Sequence, residues 1–182
     1  MFYQLIKVGK EEIGLVWRDA AGKPLVESIY LPGGRGKMKS RMVRDFPAIH
    51  MTARVIPDGI DQLIADLYNG KKQHFNLSRL NLSRLTEFSA GVLKLTYKIP
   101  RGKVDTYSGL AAKAGSPRAA RAVGAVMANN PFPIVIPCHR VVQAGGRIGQ
   151  FGGGSGMKKQ LLAREGIVLD LRGRVSVKQI RH

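Results

Sequence analysis

The hydrophobic pattern changes period near residue 86, and that switch limits the folds open to the chain. Before it, apolar residues come in β-rich runs, "FYQLIKV", "EIGLVWR" and "PLVESIYL", broken by "GKE" and "DAAGK", which have turn composition. "PDGIDQLIADLYNG" then sets Ile60, Leu63, Ile64 and Leu67 at helical spacing, with proline at the start and glycine past the end. "LPGGRGKMKSRMVRDFP" reads as a glycine-then-basic loop, and "KQHFNLS" as a further short strand. Beyond residue 86 the signal is helical. "TEFSAGVLKLTYKIP" brings Phe88, Val92, Leu93, Leu95 and Tyr97 near one broad face, between an N-capping Thr86 and a stop at Pro100. A short helix over 107–114 and a second over 117–128 flank the turn "GSP", the layout of a helix-turn-helix. These signals predict an α+β protein of two domains. Residues 1–85 would form an α/β domain around a small, mostly antiparallel sheet, and residues 86–182 a helical domain.

Charge narrows the partner. The net charge is +18, with +6 on residues 1–85 and +12 on residues 86–182. Such an excess fits a polyanion, most simply nucleic acid, held mainly by the second half; the plainer reading is a solvated basic surface. A single cysteine excludes an internal disulfide framework and fits a reducing, intracellular setting. "MFYQLIKVGKEEIGLVWRDAAG" has no apolar signal region, and no stretch approaches the roughly 18 apolar residues of a spanning helix. The expectation is a cytoplasmic protein, nuclear in a eukaryote, with no membrane partner. His50, His74, His139 and His182 have no ligand-like spacing with the one thiol, so no metal is expected.

Two segments carry candidate chemistry. "PRAARAVGAVMANN" presents Ala119, Ala120, Ala122, Gly124 and Ala125, with arginines at 118 and 121. Small residues let a helix backbone come close to something, either another helix or a nucleic-acid groove into which an arginine projects. "IPCHRVV" holds Cys138. A thiol is a nucleophile only as thiolate, and His139 and Arg140 beside it are groups that favour the thiolate. The alternative is a buried small hydrophobe, which "FPIVI", reading as a buried strand leading into a turn, supports.

The ordered set of RAVG, an Asn-Pro, PCHRV, an aromatic-x-Gly-Gly-type stretch in "GGRIGQFGGGSGMKKQLLAREG" and a late Glu-Gly resembles the O6-alkylguanine-DNA alkyltransferases (methylated-DNA–protein-cysteine methyltransferases). The likeness is close over residues 86–168 and general before them. It implies a winged helix-turn-helix second domain and a repair reaction without cofactor. The alkyl group on O6 of a damaged guanine in double-stranded DNA would pass irreversibly to Cys138, once per molecule. His139 would act as base through a bridging water, oriented by Glu165, whose spacing alone reads as an exposed helix-end carboxylate. The guanine must first leave the stack. The resemblance gives Arg121 the vacated space and places Ala120, Gly124 and Arg118 against the minor groove. Tyr107 would crowd the neighbouring phosphate and donate toward the base; its plainer reading is a core aromatic at a helix start. Asn130 would hold the turn carrying Cys138. Phe151, Gly152, Val141 and Met127 would wall the alkyl pocket. Phe151 stands where many relatives have tyrosine and Gly152 where some have serine, so side-chain hydroxyl contacts are missing there and backbone contacts remain. Some relatives hold structural zinc in the first half; with no cysteine there, none is expected. The rival readings are a lesion-binding relative without chemistry, which would lack the acceptor cysteine, an ordinary helix-turn-helix regulator and a thiol hydrolase that turns over.

Overall fold

The computed structural model describes residues 1–33, 37–47 and 52–181. They group into two compact units, Met1–Leu82 with Pro131–Pro133, and Ser83–Asn130 with Ile134–His182.

The first unit is built on a four-stranded sheet. β1 (Phe2–Val8), β2 (Glu11–Ala20) and β3 (Lys23–Tyr30) pair antiparallel, and β4 (Thr52–Ala53) adds to β1 in parallel, giving the order β3-β2-β1-β4. Ile13, Leu15, Val16 and Trp17 of β2 are all buried, a continuous run rather than an alternation, because both faces of the strand are covered. On one face, Met42 of helix α1 (Met38–Asp45) packs with Val16, Tyr30 and Phe46. On the other, helix α2 (Ile60–Tyr68) is tied to β1, where Gln4 donates to Asp61 at 2.9 Å.

Two sequence expectations fail here. α1 occupies most of what reads as a loop. Met38, Met42 and Phe46 recur every four residues, but the run of exposed basic residues between them hides that stripe. Residues 34–36 of that stretch, and His50 and His182, lie outside the described residues. "KQHFNLS" forms no strand. Phe75 is buried, Asn76 caps a 3-10 turn over Leu77–Arg79, and Leu80 alone bridges to Val26.

The second unit is mostly helical. Helix α3 (Glu87–Tyr97) starts at Thr86, whose hydroxyl accepts from Ser89 N. It buries Val92, Leu93 and Thr96, while Phe88, Leu95 and Tyr97 are half-buried. Thr96 is tolerated there because its hydroxyl bonds Val92 O at 2.8 Å. The two-residue strands β5 (Asp105–Thr106) and β6 (Val141–Val142) pair in parallel. Helix α4 (Tyr107–Lys113) follows β5 directly, capped by Thr106. Helix α5 (Ala120–Ala128) begins later than its proline suggests. Ala119 N bonds Ser116 O, a separate turn, so Arg118 lies before the helix rather than on it. "FPIVI" is buried but is a turn and not a strand. Ile134 there takes φ 74°, a left-handed conformation that opposes strand pairing and is strained for a β-branched residue. Helix α6 (Gly154–Arg164) closes the unit over a core of Val104, Val142, Ile148, Leu162, Ile167 and Val175.

The glycine-rich stretch before α6 is anchored at Gly146. Its backbone sits at φ 78°, its carbonyl accepts from Val175 N at 2.9 Å, and a Cβ there would run into the Val175 backbone. Gly145, at φ 71°, faces open space. Gly145→Ala should therefore cost only the left-handed penalty of about 1–2 kcal/mol. Gly146→Ala should cost clearly more, read as a larger drop in the urea midpoint. Equal midpoints for the two variants would contradict the close approach.

Candidate active site

Cys138 opens a 3-10 turn, Cys138–Arg140, that follows directly from the strained buried segment at Ile134. Its amide donates to Ile136 O at 2.8 Å, and the Asn130 side chain reaches across from the end of α5 to Ile136 O at 3.0 Å and to the thiol itself. The thiol is thus fixed from two sides. It is 6% exposed, and that sliver opens into a cleft of about 610 Å³.

Around this cleft stand Tyr107, the α5 residues Ala120, Arg121, Gly124 and Met127, and Phe151 with Gly152 from the glycine-rich stretch. Gln143 and Gln150, which the sequence did not single out, border it too. Arg121 is exposed at its edge, and a Cβ on Gly124 or Gly152 would meet nothing within 4 Å, so the walls there are open. Two anticipated residues are elsewhere. Val141 is fully buried behind the thiol turn and does not line the cleft, and Arg118 is exposed in the turn before α5.

Behind the thiol lies a buried ionic cluster. Glu165, just past α6, is 6% exposed; His139 is 2% exposed, with its Nε2 at 2.9 Å from Glu165 Oε1. Arg140 clasps the same carboxylate through Nε and Nη2, both at 2.8 Å, and its Nη1 donates to Ile99 O. Burial alone would raise the Glu165 pKa, but the bonds from His139 and Arg140 outweigh it and hold it at about 2. An ionised carboxylate only accepts, so Nε2 of His139 carries the proton. Burial pushes the His139 pKa down, more than Glu165 pulls it up, so the ring is neutral. Its Nδ1 therefore presents a lone pair, and it has no hydrogen-bond partner among the described residues. The ring edge meets Phe151 in a T-shaped contact, centroids 6.5 Å apart.

Arg140 does not serve the thiol in the way its adjacency suggests; it is committed to Glu165. The cation that does face inward is one the sequence reading missed. Lys158 of α6 is fully buried and donates to Val141 O at 2.6 Å. Its position on the Leu161–Leu162 stripe of α6 was the available signal. Burial pushes the Cys138 thiol pKa up, and Asn130 and Lys158 partly offset this. Burial and then the Cys138 charge push the Tyr107 phenol up as well, so at neutral pH it keeps its proton. The arrangement offers a nucleophile and a phenolic donor at one cleft and, in the residue that follows the thiol, a buried neutral base with a free lone pair and a carboxylate that orients it. Among the described residues no three His, Cys, Asp or Glu side chains come together as metal ligands, and no helix is long and apolar enough to cross a membrane.

The chain is similar in sequence and in fold to known proteins. The family model for the 6-O-methylguanine DNA methyltransferase DNA-binding domain matches residues 87–167. The methylated-DNA–protein-cysteine methyltransferase of Methanothermobacter thermautotrophicus is 37% identical over 160 residues, 87% of this chain and 82% of that protein. The human protein of the same name is 53% identical over 73 residues, 40% of this chain and 35% of its own length. Among solved structures, Mycobacterium tuberculosis OGT in complex with DNA superposes with a TM-score of 0.73 at 28% identity, covering 91% of this chain and 92% of that one.

Glu165→Ala should cost about 3–5 kcal/mol, since it leaves Arg140 as a buried charge without its partner. The depressed pKa of Glu165 contributes stability that is full above its ordinary value of 4.5 and is lost as pH falls toward 2. Unfolding free energy should thus fall more steeply over that acid range in the native chain than in Glu165→Ala. Parallel acid profiles would contradict the assignment.

Proposed function

We infer function from the premise that the chain belongs to the methylated-DNA–protein-cysteine methyltransferase family, and we propose that it repairs O6-alkylguanine in double-stranded DNA by taking the alkyl group onto Cys138. The observation that carries this reading is the thiol at the base of an open cleft, backed by a neutral imidazole with a free lone pair. The thiol proton passes through a water to His139 Nδ1, and Glu165 stabilises the imidazolium that forms. The thiolate attacks the alkyl carbon, a C–S bond forms, and the C–O6 bond breaks with its electron pair moving to the guanine. Tyr107 donates toward the base as guanine leaves. The thioether left on sulfur has no leaving group that water can displace, so each molecule acts once.

O6 is out of reach in stacked DNA, so the nucleotide turns out into the cleft. The small residues of α5 suit close approach to the minor groove, whose degenerate readout tolerates any flanking sequence. Arg121, exposed at the cleft edge, fills the space the base leaves. The +18 charge supports binding through phosphates, with affinity falling steeply as salt rises. Phe151 and Gly152 wall the alkyl pocket, with backbone rather than hydroxyl groups offered to the lesion. The chain works where the DNA is, in the cytoplasm or, in a eukaryotic cell, the nucleus.

Duplex DNA carrying radiolabelled O6-methylguanine should place label on the protein at Cys138, one methyl per molecule, and Cys138→Ser should remove all transfer while DNA binding persists. Label released into solution, or transfer by the serine variant, would overturn the reading. Arg121→Ala should lower transfer from duplex DNA by orders of magnitude and leave transfer from free O6-benzylguanine nearly unchanged. Arg121→Lys should recover part, because a planar guanidinium stacks on bases and an ammonium does not. Equal losses on both substrates would remove Arg121 from base extrusion.

A further inference from the structure

Residues 86–182 carry sixteen basic and four acidic side chains. Two of the acids are buried, Glu165 between His139 and Arg140, and Asp105 in a pair with Lys113 at 2.6 Å. Asp170 turns an oxygen to the backbone N–H groups of Arg172 and Arg174, and Glu87 stands in the first turn of α3. The other end of α3 gathers cations. Arg181 Nη1 donates to Lys98 O at 3.1 Å, Arg101 Nη2 to Arg164 O at 2.6 Å, and Lys103 Nζ to Lys178 O at 2.9 Å. These bonds to carbonyl oxygens draw six basic residues from three segments of the chain into one patch. Carbonyls at helix C-termini attract cations, which accounts for Arg181 at the end of α3 and Arg101 at the end of α6. It does not account for Lys98, Lys103 and Lys178, which are exposed and have no ion pair among the described residues. Like charges gathered in this way repel one another, and a bound polyanion removes that cost. None of the six lines the cleft. Arg140 donates to Ile99 O, beside Lys98, and connects to the thiol turn's His139 through Glu165. The patch thus lies behind the buried ionic cluster, with the cleft in front of it.

We propose that this patch is a second nucleic-acid surface, binding the phosphate backbone of a duplex segment other than the one at the cleft. The proposal goes beyond the repair reaction and rests on the cleft being the first DNA site. Recognition is through phosphates, so neither sequence nor damage is read there. A molecule holding two segments can pass from one to the other without release, which suits a single-use protein searching for rare lesions.

Sedimentation equilibrium of the full chain with a short, labelled, undamaged duplex in excess gives the mass of the complex. At low salt the expected complex holds one protein and two duplexes. Three phosphate contacts at the patch predict a roughly fortyfold weakening of the second step for a fourfold rise in salt. Lys98→Gln, Lys103→Gln and Lys178→Gln combined should leave one duplex per protein, and arginine at the same three positions should keep two. A native chain that stops at one duplex, a glutamine variant that still takes two, or a second duplex that enters only with a second protein copy would overturn the proposal. Methyl transfer to Cys138 from a lesion duplex, measured in parallel, should be the same in the native chain and the glutamine variant. Transfer without a second duplex would sink the patch and leave repair standing. Two duplexes without transfer would sink repair and leave the patch standing.

Discussion

Glu165 is one carboxylate with three demands on it. It accepts from His139 Nε2 and from two nitrogens of Arg140, whose remaining arm holds Ile99 O beyond the end of α3. Removing these groups from water is costly, and an apolar cluster of equal volume would be at least as stable. What the carboxylate supplies is direction. It fixes which imidazole nitrogen is protonated and keeps the guanidinium away from the thiol. It also ties the C-terminal end of α6 to the Cys138 turn.

The rest of the unit follows from having to present that turn. A thiol at 6% exposure is useful only if one wall is open, and α5 provides it with Ala120, Gly124 and an exposed Arg121 in place of bulky side chains. Another wall, Gln150 to Gly152, lies between left-handed glycines at 149 and 154, in a stretch anchored at Gly146 against Val175. Between them, the β5–β6 ladder sets Tyr107 and the residues after Cys138 in fixed register. Strain at Ile134 is retained immediately before the turn, held by a side chain that is 3% exposed.

Much of this was legible from residue order. The three long strands, α2, the cap of α3 and the helical hairpin follow from period, caps and turn residues, all local signals. The motif set around Cys138 pointed to its family before any geometry. Long-range partners were not legible. Adjacency suggested that Arg140 activates the thiol, but side chains at neighbouring positions diverge, and its partner lies 25 residues away. Lys158 was not singled out, because its burial beside Leu161 and Leu162 shows only once α6 is in place. α1 was hidden because only its two methionines and Phe46 form its apolar stripe, and "FPIVI" has strand composition while one left-handed residue breaks it into a turn. Val141 belongs to the motif, yet it faces the core because the 3-10 turn rotates it away from the cleft.

The account turns on the protonation state that Glu165 imposes on His139. Nitrogen-15 NMR of the His139 ring near neutral pH measures it directly. The account predicts a neutral imidazole with its proton on Nε2 and an unprotonated Nδ1, because burial lowers the pKa of the ring from the ordinary histidine value of 6.5. In Glu165→Gln the ring should lose that fixed tautomer. A proton on Nδ1, or an imidazolium at neutral pH in the native chain, would leave no base for the thiol and would contradict it.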